Sequence, residues 1–345
     1  MDQPYRIMAE WEPQQAVLLA WPHQSTDWSP WLESIEQDYI KLKAAISLAA
    51  TPIILCRDED HRTHISRLIE GIICINPPKL VVAPYNDTWC RDYGPISLSQ
   101  NGKLQLLDFQ FRGWGDKYEA SLDNSINEQL SSLWEAPLKT IDFELEGGSI
   151  ETDGEGTMLT TTRCLLESDR NKGFGKDQIE IFLQETLGVD RILWLSEGML
   201  IGDDTDSHID NLARFAGPET IVYLSCSRKT DPHFQPLKAM EEQLREFRKA
   251  DGQSYQLVPI ELPEPQIDEN GARLPASYAN FLILNGIVIV PVFNCPQDAA
   301  AISRIEKCFS QKRVVTVPGN NLIRQFGGPH CATMQLPANS LKSAL

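Results

Sequence analysis

Apolar positions in this chain fall into short alternating runs, separated at regular intervals by stretches with helical spacing. Residues 149–152 and 156–162 read as two strands around the turn Asp153-Gly154-Glu155, followed by a helix near 176–187 and a strand at 191–195. The same order of strand, strand, helix, strand recurs at 208–215, 220–225, 235–250 and 255–260. It recurs again at 278–284, 287–293, 298–309 and 313–317, where Asn285-Gly286 between two apolar runs is a strong hairpin signal. Upstream, 89–98, 103–111, 120–134 and 138–143 follow the order, and the opening 15–21, 33–50 and 52–56 follow it less completely. The chain therefore reads as roughly five α/β units of about 60–70 residues, a period that suggests a solenoid or propeller. The Pro-rich stretch 263–275 lies between two units and reads as a surface loop.

In each complete unit the unusual polar residues fall at or just before the first strand of the hairpin. If the units stand around an axis, these starts converge. Four segments carry them: Asn86-Asp87-Thr88-Trp89-Cys90-Arg91-Asp92-Tyr93-Gly94-Pro95, Leu145-Glu146-Gly147-Gly148, Asp203-Asp204-Thr205-Asp206-Ser207-His208-Ile209-Asp210-Asn211, and Gly327-Gly328-Pro329-His330-Cys331. Taken singly, each has a structural explanation: Asp92 as a turn residue paired with Arg91, Glu146 as a surface acid, His208 as a satisfied core histidine. Their equivalent places in successive units favour a shared site. On a strand, His208 and Asp210 would face the same way. A guanidinium is planar, offers only donors and pairs best with carboxylates. Asp92 and Asp210 could hold one flat, with its central carbon exposed to Cys331. The thiolate is the reacting form, and a cysteine with an ordinary pKa of about 8.5 needs a nearby cation to ionise at neutral pH. The bound guanidinium and a protonated His208 favour that ionisation, and the carboxylates oppose it.

Composition narrows the partners. A formal charge of −17 over 345 residues disfavours nucleic acid and anionic membranes and suits a small cationic substrate. The first residues lack a basic stretch leading into an apolar one, so no signal peptide is expected, and no apolar run is long enough to span a bilayer. Eight scattered cysteines without a C-x-x-C pair read as thiols of a reduced, cytoplasmic protein.

These segments resemble the agmatine deiminases of the guanidine-modifying, pentein-type superfamily, which also holds arginine deiminases and bacterial peptidylarginine deiminases. The likeness runs over nearly the whole chain, through Ala9-Glu10-Trp11-Glu12-Pro13-Gln14, Ala20-Trp21-Pro22, the segment around Trp89 and Asp92, Leu145 to Ile150, Asp153 to Thr157, His208 to Asn211, and Ala276-Ser277-Tyr278-Ala279-Asn280-Phe281. It implies a five-bladed, pseudo-symmetric α/β propeller in one domain, 1–345, with neither metal nor cofactor. The implied reaction is hydrolysis of agmatine to N-carbamoylputrescine and ammonia. Residue by residue, it makes Cys331 the nucleophile, His208 the general acid and base, Glu146 its orienting carboxylate, Asp92 and Asp210 the guanidinium clamps, and Trp89 a wall of the substrate slot. Asp204 falls where similar enzymes place an acid, often a glutamate, near the distal amine. Those enzymes usually read Gly-Gly-Gly-Asn-Ile-His-Cys at the nucleophile, where this chain has Phe326-Gly327-Gly328-Pro329-His330-Cys331. A homodimer is the expected assembly.

Three other readings compete. Asp206-Ser207-His208-Ile209-Asp210 fits the Asp-x-His-x-Asp pattern of manganese ureohydrolases, but the second Asp-x-Asp they need later in the chain has only the early Asp58-Glu59-Asp60 to offer. His61-x-x-His64 reads as helix surface. Arginine or peptidylarginine could replace agmatine, because both present the same guanidinium. A non-catalytic guanidinium receptor would use the acids as a cage and leave Cys331 structural.

Overall fold

The computed structural model describes residues 4–166 and 169–342. Their strands form five small sheets, and no helix among these residues is long and apolar enough to cross a membrane. The mixed α/β unit expected from the apolar pattern is built as follows. Ala213–Phe215 pairs antiparallel with Thr220–Ser225, the helix Phe234–Glu246 crosses over, and Gln256–Glu261 returns parallel to the middle strand. The helix forms because Leu237, Met240 and Leu244 recur at helical spacing and are all buried, which gives it one apolar face. The sheet starting at Ile150–Thr152 repeats this plan with Thr157–Thr161, the helix Lys176–Leu187 and Arg191–Leu195. The sheet starting at Leu282–Leu284 does so with Ile287–Val292, Asp298–Cys308 and Arg313–Pro318.

At Asn285-Gly286 the glycine takes φ +69, the left-handed region that glycine enters without a Cβ penalty. Asn285 serves a different purpose: its side chain accepts from Gln14 N and donates to Gln14 O and Ala49 O, joining this hairpin to the amino-terminal segment.

The opening unit fits the repeat incompletely because its first strand comes from the other end of the chain. Thr333–Pro337 pairs antiparallel with Gln14–Ala20, which is followed in parallel by Thr51–Cys56 and Lys79–Val82. Cys331 thus sits immediately ahead of the strand that joins the two ends of the chain.

Four expected elements differ. The strand expected over 89–98 opens as the helical turn Cys90–Tyr93, and only Ile96–Gln100 is strand. His208–Asp210 is not strand: Ile209–Asn211 is a 3-10 turn and the strand starts at Ala213. The preceding Asp206 and Ser207 both have positive φ, near +65 and +66, held by Asp203 accepting from Ser207 N and by Arg170 on Asp206. Residues 278–281 likewise precede the strand, because Ser277 and Asn280 spend their side chains on backbone groups. The helix expected over 120–134 is broken into Asp123–Ser125 and the single turn Ile126–Gln129. Asp123 accepts the N–H groups of Asn86 and Asp87, and Asn127 donates to Tyr93 O, so side-chain bonds compete with the helix. Sequence pattern missed Lys79–Val82 and the short strand Arg6–Ile7 on the edge of the sheet that contains Ile96–Gln100.

Candidate active site

Every sheet presents a polar or reactive side chain just ahead of the strand that pairs antiparallel with its middle strand and opens the repeated plan. Asp92 precedes Ile96–Gln100, Glu146 precedes Ile150–Thr152, His208 and Asp210 precede Ala213–Phe215, Asn280 precedes Leu282–Leu284, and Cys331 precedes Thr333–Pro337. They meet. A Cβ on Gly148 would lie 2.6 Å from His208 Nδ1, 2.8 Å from Asp92 Oδ1 and 3.1 Å from Asp210 Oδ2. Three groups from two other sheets crowd one Cα, so glycine is required there. The convergence expected from strand alternation is reached instead by loops.

Cys331 Sγ lies 3.4 Å from Asp210 Oδ2 and 2.9 Å from Asn280 Nδ2. Burial, then Asp210 and Asp92, push the thiol well above its ordinary value. The turn with Pro329 is fixed from both sides: Asn280 Oδ1 accepts from His330 N and Cys331 N, and Pro329 O accepts from the Thr333 hydroxyl at 2.7 Å. Its two glycines have separate neighbours, since a side chain on Gly327 would strike the Trp89 ring and one on Gly328 would strike Asn280.

The two acids are held differently. Asp92 accepts from Trp114 Nε1 and Gly148 N, each at 2.9 Å, and burial pushes it up to about 6. Asp210 Oδ2 faces His330 Nδ1 at 2.8 Å. Burial, the largest single influence, would raise Asp210, but His330, His208 and Arg214 outweigh it and leave the carboxyl below its ordinary value. Asp210 Oδ1 is buried without a hydrogen-bond partner among the described residues, an acceptor that a guanidinium N–H fits. Behind it, His330 Nε2 meets Glu10 Oε1 at 2.5 Å, and Glu10 in turn pairs with Arg214 at 2.7 Å.

His208 is fully buried, 3.6 Å from Asp92 and 3.9 Å from Glu146. Burial pulls the imidazole down most strongly, yet Asp92 first, then Cys164 and Glu146, raise it to about 10. The ring is therefore protonated at neutral pH. Glu146 reaches it only as a charge, because 3.9 Å is too long for a hydrogen bond; both Glu146 oxygens accept from Arg170 Nε, at 2.7 and 2.8 Å. Arg170 also donates Nη1 to Asp206 at 2.7 Å and Nη2 to Thr205 O, so one buried guanidinium fixes both Glu146 and the loop before His208. Removing one partner of a buried ion pair strands the other. Arg170→Met is accordingly expected to lower unfolding free energy by about 3–5 kcal/mol, read by urea denaturation against the unaltered protein.

Among the described residues, two clusters have metal-ligand chemistry, Glu146 with Cys164 and His208, and Glu10 with Glu151 and His330. Each is already served by a buried cation: Arg170 on Glu146, and Arg214 on Glu10, Glu151 and His330. Asp206, which the ureohydrolase pattern needs beside His208 and Asp210, pairs with Arg170 and Lys117 instead. His64 lies on the helix Glu59–Leu68 and faces Glu36.

A pocket of about 380 Å³, counting the space open at its mouth, ends on Cys331 and Asp92. Trp89, Trp114, Tyr118 and Phe326 supply its aromatic walls, and Asp27, Asp87 and Asp204 its acids. Tyr118 donates to Asp204 Oδ2 at 2.9 Å. Burial raises Asp87 to about 7 and Asp204 to about 6. No lysine or arginine is among the described residues lining this pocket.

The sequence matches the model of the Porphyromonas-type peptidyl-arginine deiminase family over residues 6–337. The chain belongs to that family. This family member is 31% identical to the agmatine deiminase of Pseudomonas aeruginosa strain UCBPP-PA14, over 97% of this chain and 96% of that one. Its fold is similar to that of a cysteine-to-serine variant of the C. jejuni agmatine deiminase with substrate bound, at TM-score 0.91 and 35% identity over 97% of each chain. It is also similar to the agmatine deiminase of Enterococcus faecalis, at TM-score 0.86 and 26% identity, over 97% of this chain and 96% of that one.

Within this family member the structure brings Cys331, His208, Glu146, Asp92 and Asp210 together, with Trp89 and Asp204 on the pocket wall. Sequence reasoning missed Asp27, Trp114, Tyr118 and Arg170 as site residues, and quoted Asp87, Asn280 and His330 only as parts of motifs. Trp114 and Tyr118 lie in a loop where Trp114 and Asp116 have positive φ; the run Gly113-Trp114-Gly115 was the available signal.

Proposed function

We propose that this protein is an agmatine deiminase, hydrolysing agmatine to N-carbamoylputrescine and ammonia, with the five sheets acting as the blades of one five-bladed α/β propeller around the site. The observation that carries the choice of substrate is the sign of the pocket. Its deep end is lined by Cys331 and Asp92, with Asp210 Oδ2 3.4 Å from the Cys331 sulfur and Asp210 Oδ1 without a partner among the described residues, so that a guanidinium at Cys331 meets both acids; its outer wall offers Asp27, Asp87 and Asp204 to an ammonium. An arginine α-carboxylate would meet like charge there, which costs affinity. Agmatine carries a cation at both ends and no carboxylate.

The mechanism uses residues of this chain alone. Asp92 and Asp210 hold the guanidinium, and its positive charge favours ionisation of Cys331. The sulfur attacks the guanidinium carbon, and the C–N bond to one terminal nitrogen breaks as His208 delivers a proton, so ammonia departs and a thiouronium remains on Cys331. The now neutral His208 takes a proton from water, whose oxygen adds to the same carbon. The C–S bond then breaks, the proton of the added hydroxyl passes to the departing sulfur, and the ureido product is released with Cys331 again a thiol. Trp89 and Trp114 limit access of other water. Eight free cysteines support a reducing, cytoplasmic setting for this chemistry, and the product feeds putrescine formation.

Incubation of the purified protein with agmatine or arginine, assayed for ammonia and urea, tests the proposal. Ammonia with N-carbamoylputrescine is expected from agmatine, and little from arginine. Urea with putrescine, dependent on manganese, would replace this reading with a ureohydrolase.

A further inference from the structure

We propose that Asn280 is a further catalytic residue, whose side-chain amide donates a hydrogen bond to the sulfur of Cys331 and stabilises the attacking thiolate. The inference rests on the reading of Cys331 as the nucleophile.

The repeat first points to this residue. Four of the five sheet starts carry groups with assigned roles, in Asp92, Glu146, the His208 and Asp210 pair, and Cys331. Asn280 holds the equivalent place in the remaining sheet. Its amide is 1% exposed, and its orientation is fixed without ambiguity. His330 N at 3.0 Å and Cys331 N at 3.2 Å are both donors aimed at Oδ1, so that end is the oxygen and the other end is the NH₂ group. That NH₂ lies 2.9 Å from Cys331 Sγ.

Nδ2 has two further acceptor neighbours, Asn211 Oδ1 at 3.1 Å and Asp210 Oδ2 at 3.3 Å. Two hydrogens are therefore shared among three acceptors. A thiol is a weak acceptor and a thiolate a strong one, so ionisation of Cys331 draws a hydrogen of Nδ2 towards the sulfur. Asp210 and Asp92 crowd the sulfur with negative charge. Among the described residues, the side-chain donor hydrogen-bonded to this sulfur is Asn280 Nδ2. The arrangement resembles an oxyanion hole in its logic: a dipole fixed by folding faces the atom on which charge develops.

The two ends of the amide do separate jobs. Oδ1 holds the nucleophile turn, and Nδ2 faces the reacting atom. Asn280→Asp separates them, because it keeps an acceptor for both backbone N–H groups and replaces the donor with an oxygen. Asn280→Ala removes the donor without adding charge.

The test is the rate of iodoacetamide alkylation of Cys331 near pH 8, followed by mass spectrometry of the Cys331 peptide, in full-length protein whose melting temperature is recorded alongside. Both variants are expected to alkylate about tenfold or more slowly, the change that one unit in thiol pKa produces below the midpoint, and kcat is expected to fall with the alkylation rate. Unchanged alkylation in both variants would overturn the role of Asn280 while leaving Cys331 as nucleophile. Full deiminase activity in Cys331→Ala would overturn the nucleophile reading and this proposal together.

Discussion

Cys331→Ala is expected to abolish agmatine turnover, with a loss on the order of 10⁴-fold or more in kcat, as removal of an enzyme's nucleophile does, while agmatine binding stays measurable. The two effects separate because the groups that bind and the group that reacts are different. Asp92 and Asp210 are held by Trp114, Gly148 N and His330, none of which depends on the sulfur. The distal acids and Trp89 lie on the pocket wall. Without Sγ the guanidinium still finds its carboxylates, but its central carbon meets a methyl group. Ammonia release under saturating agmatine and calorimetric titration of the variant are the two measurements. Turnover within tenfold of the unaltered protein would remove Cys331 from the mechanism. The raised thiol pKa adds a second aspect to the same experiment. The free protein keeps Cys331 protonated, because burial and two carboxylates oppose the thiolate, and a bound cation is what tips the balance.

The repeat was legible in the sequence because each complete unit carries its own hairpin and helix within one stretch of chain. Thr220–Ser225 and Ile287–Val292 are short, apolar and bounded by turn residues, which periodicity detects. The opening unit was only partly legible, since its first strand, Thr333–Pro337, is supplied from the far end of the chain, and pairing across that separation leaves no local signal. The reactive residues were legible as polar outliers placed ahead of apolar hairpins. What failed was the geometry assigned to them. His208 and Asp210 share a site because of a strained loop and a 3-10 turn, and the bonds that hold that loop run to Arg170 and Lys117 from other segments. Arg170 itself lies in the polar run Glu167-Ser168-Asp169-Arg170-Asn171-Lys172, which by composition reads as exposed. Only tertiary folding shows that its guanidinium is buried between two carboxylates. Asp27 and Tyr118 were missed for a related reason: they reach the pocket from loops that precede no hairpin.

His208→Gln is expected to lower kcat on agmatine by roughly 10²–10⁴-fold, the usual contribution of a positioned acid and base. Glutamine fills similar space and can hydrogen-bond, but it cannot deliver a proton to departing ammonia or take one from water. The unaltered imidazole is suited to the first half, because its pKa of about 10 leaves it protonated across the neutral range, and it gives the proton up only as pH rises through that value. Its charge depends on Asp92, the largest influence raising it. Asp92 takes up a proton as pH falls through about 6, which removes one guanidinium clamp and the charge that most favours protonated His208. In the unaltered protein kcat/KM for agmatine should therefore decline below about pH 6, and the decline should persist in His208→Gln at its lower level, since that variant retains Asp92 as a clamp. A pH profile of both proteins from about 5 to 9, bracketing the Asp92 value, measures this. Turnover by His208→Gln within a few-fold of the unaltered protein would show that another group carries the proton. Loss of the acid limb in the unaltered protein would show that Asp92 need not be ionised for the substrate to bind.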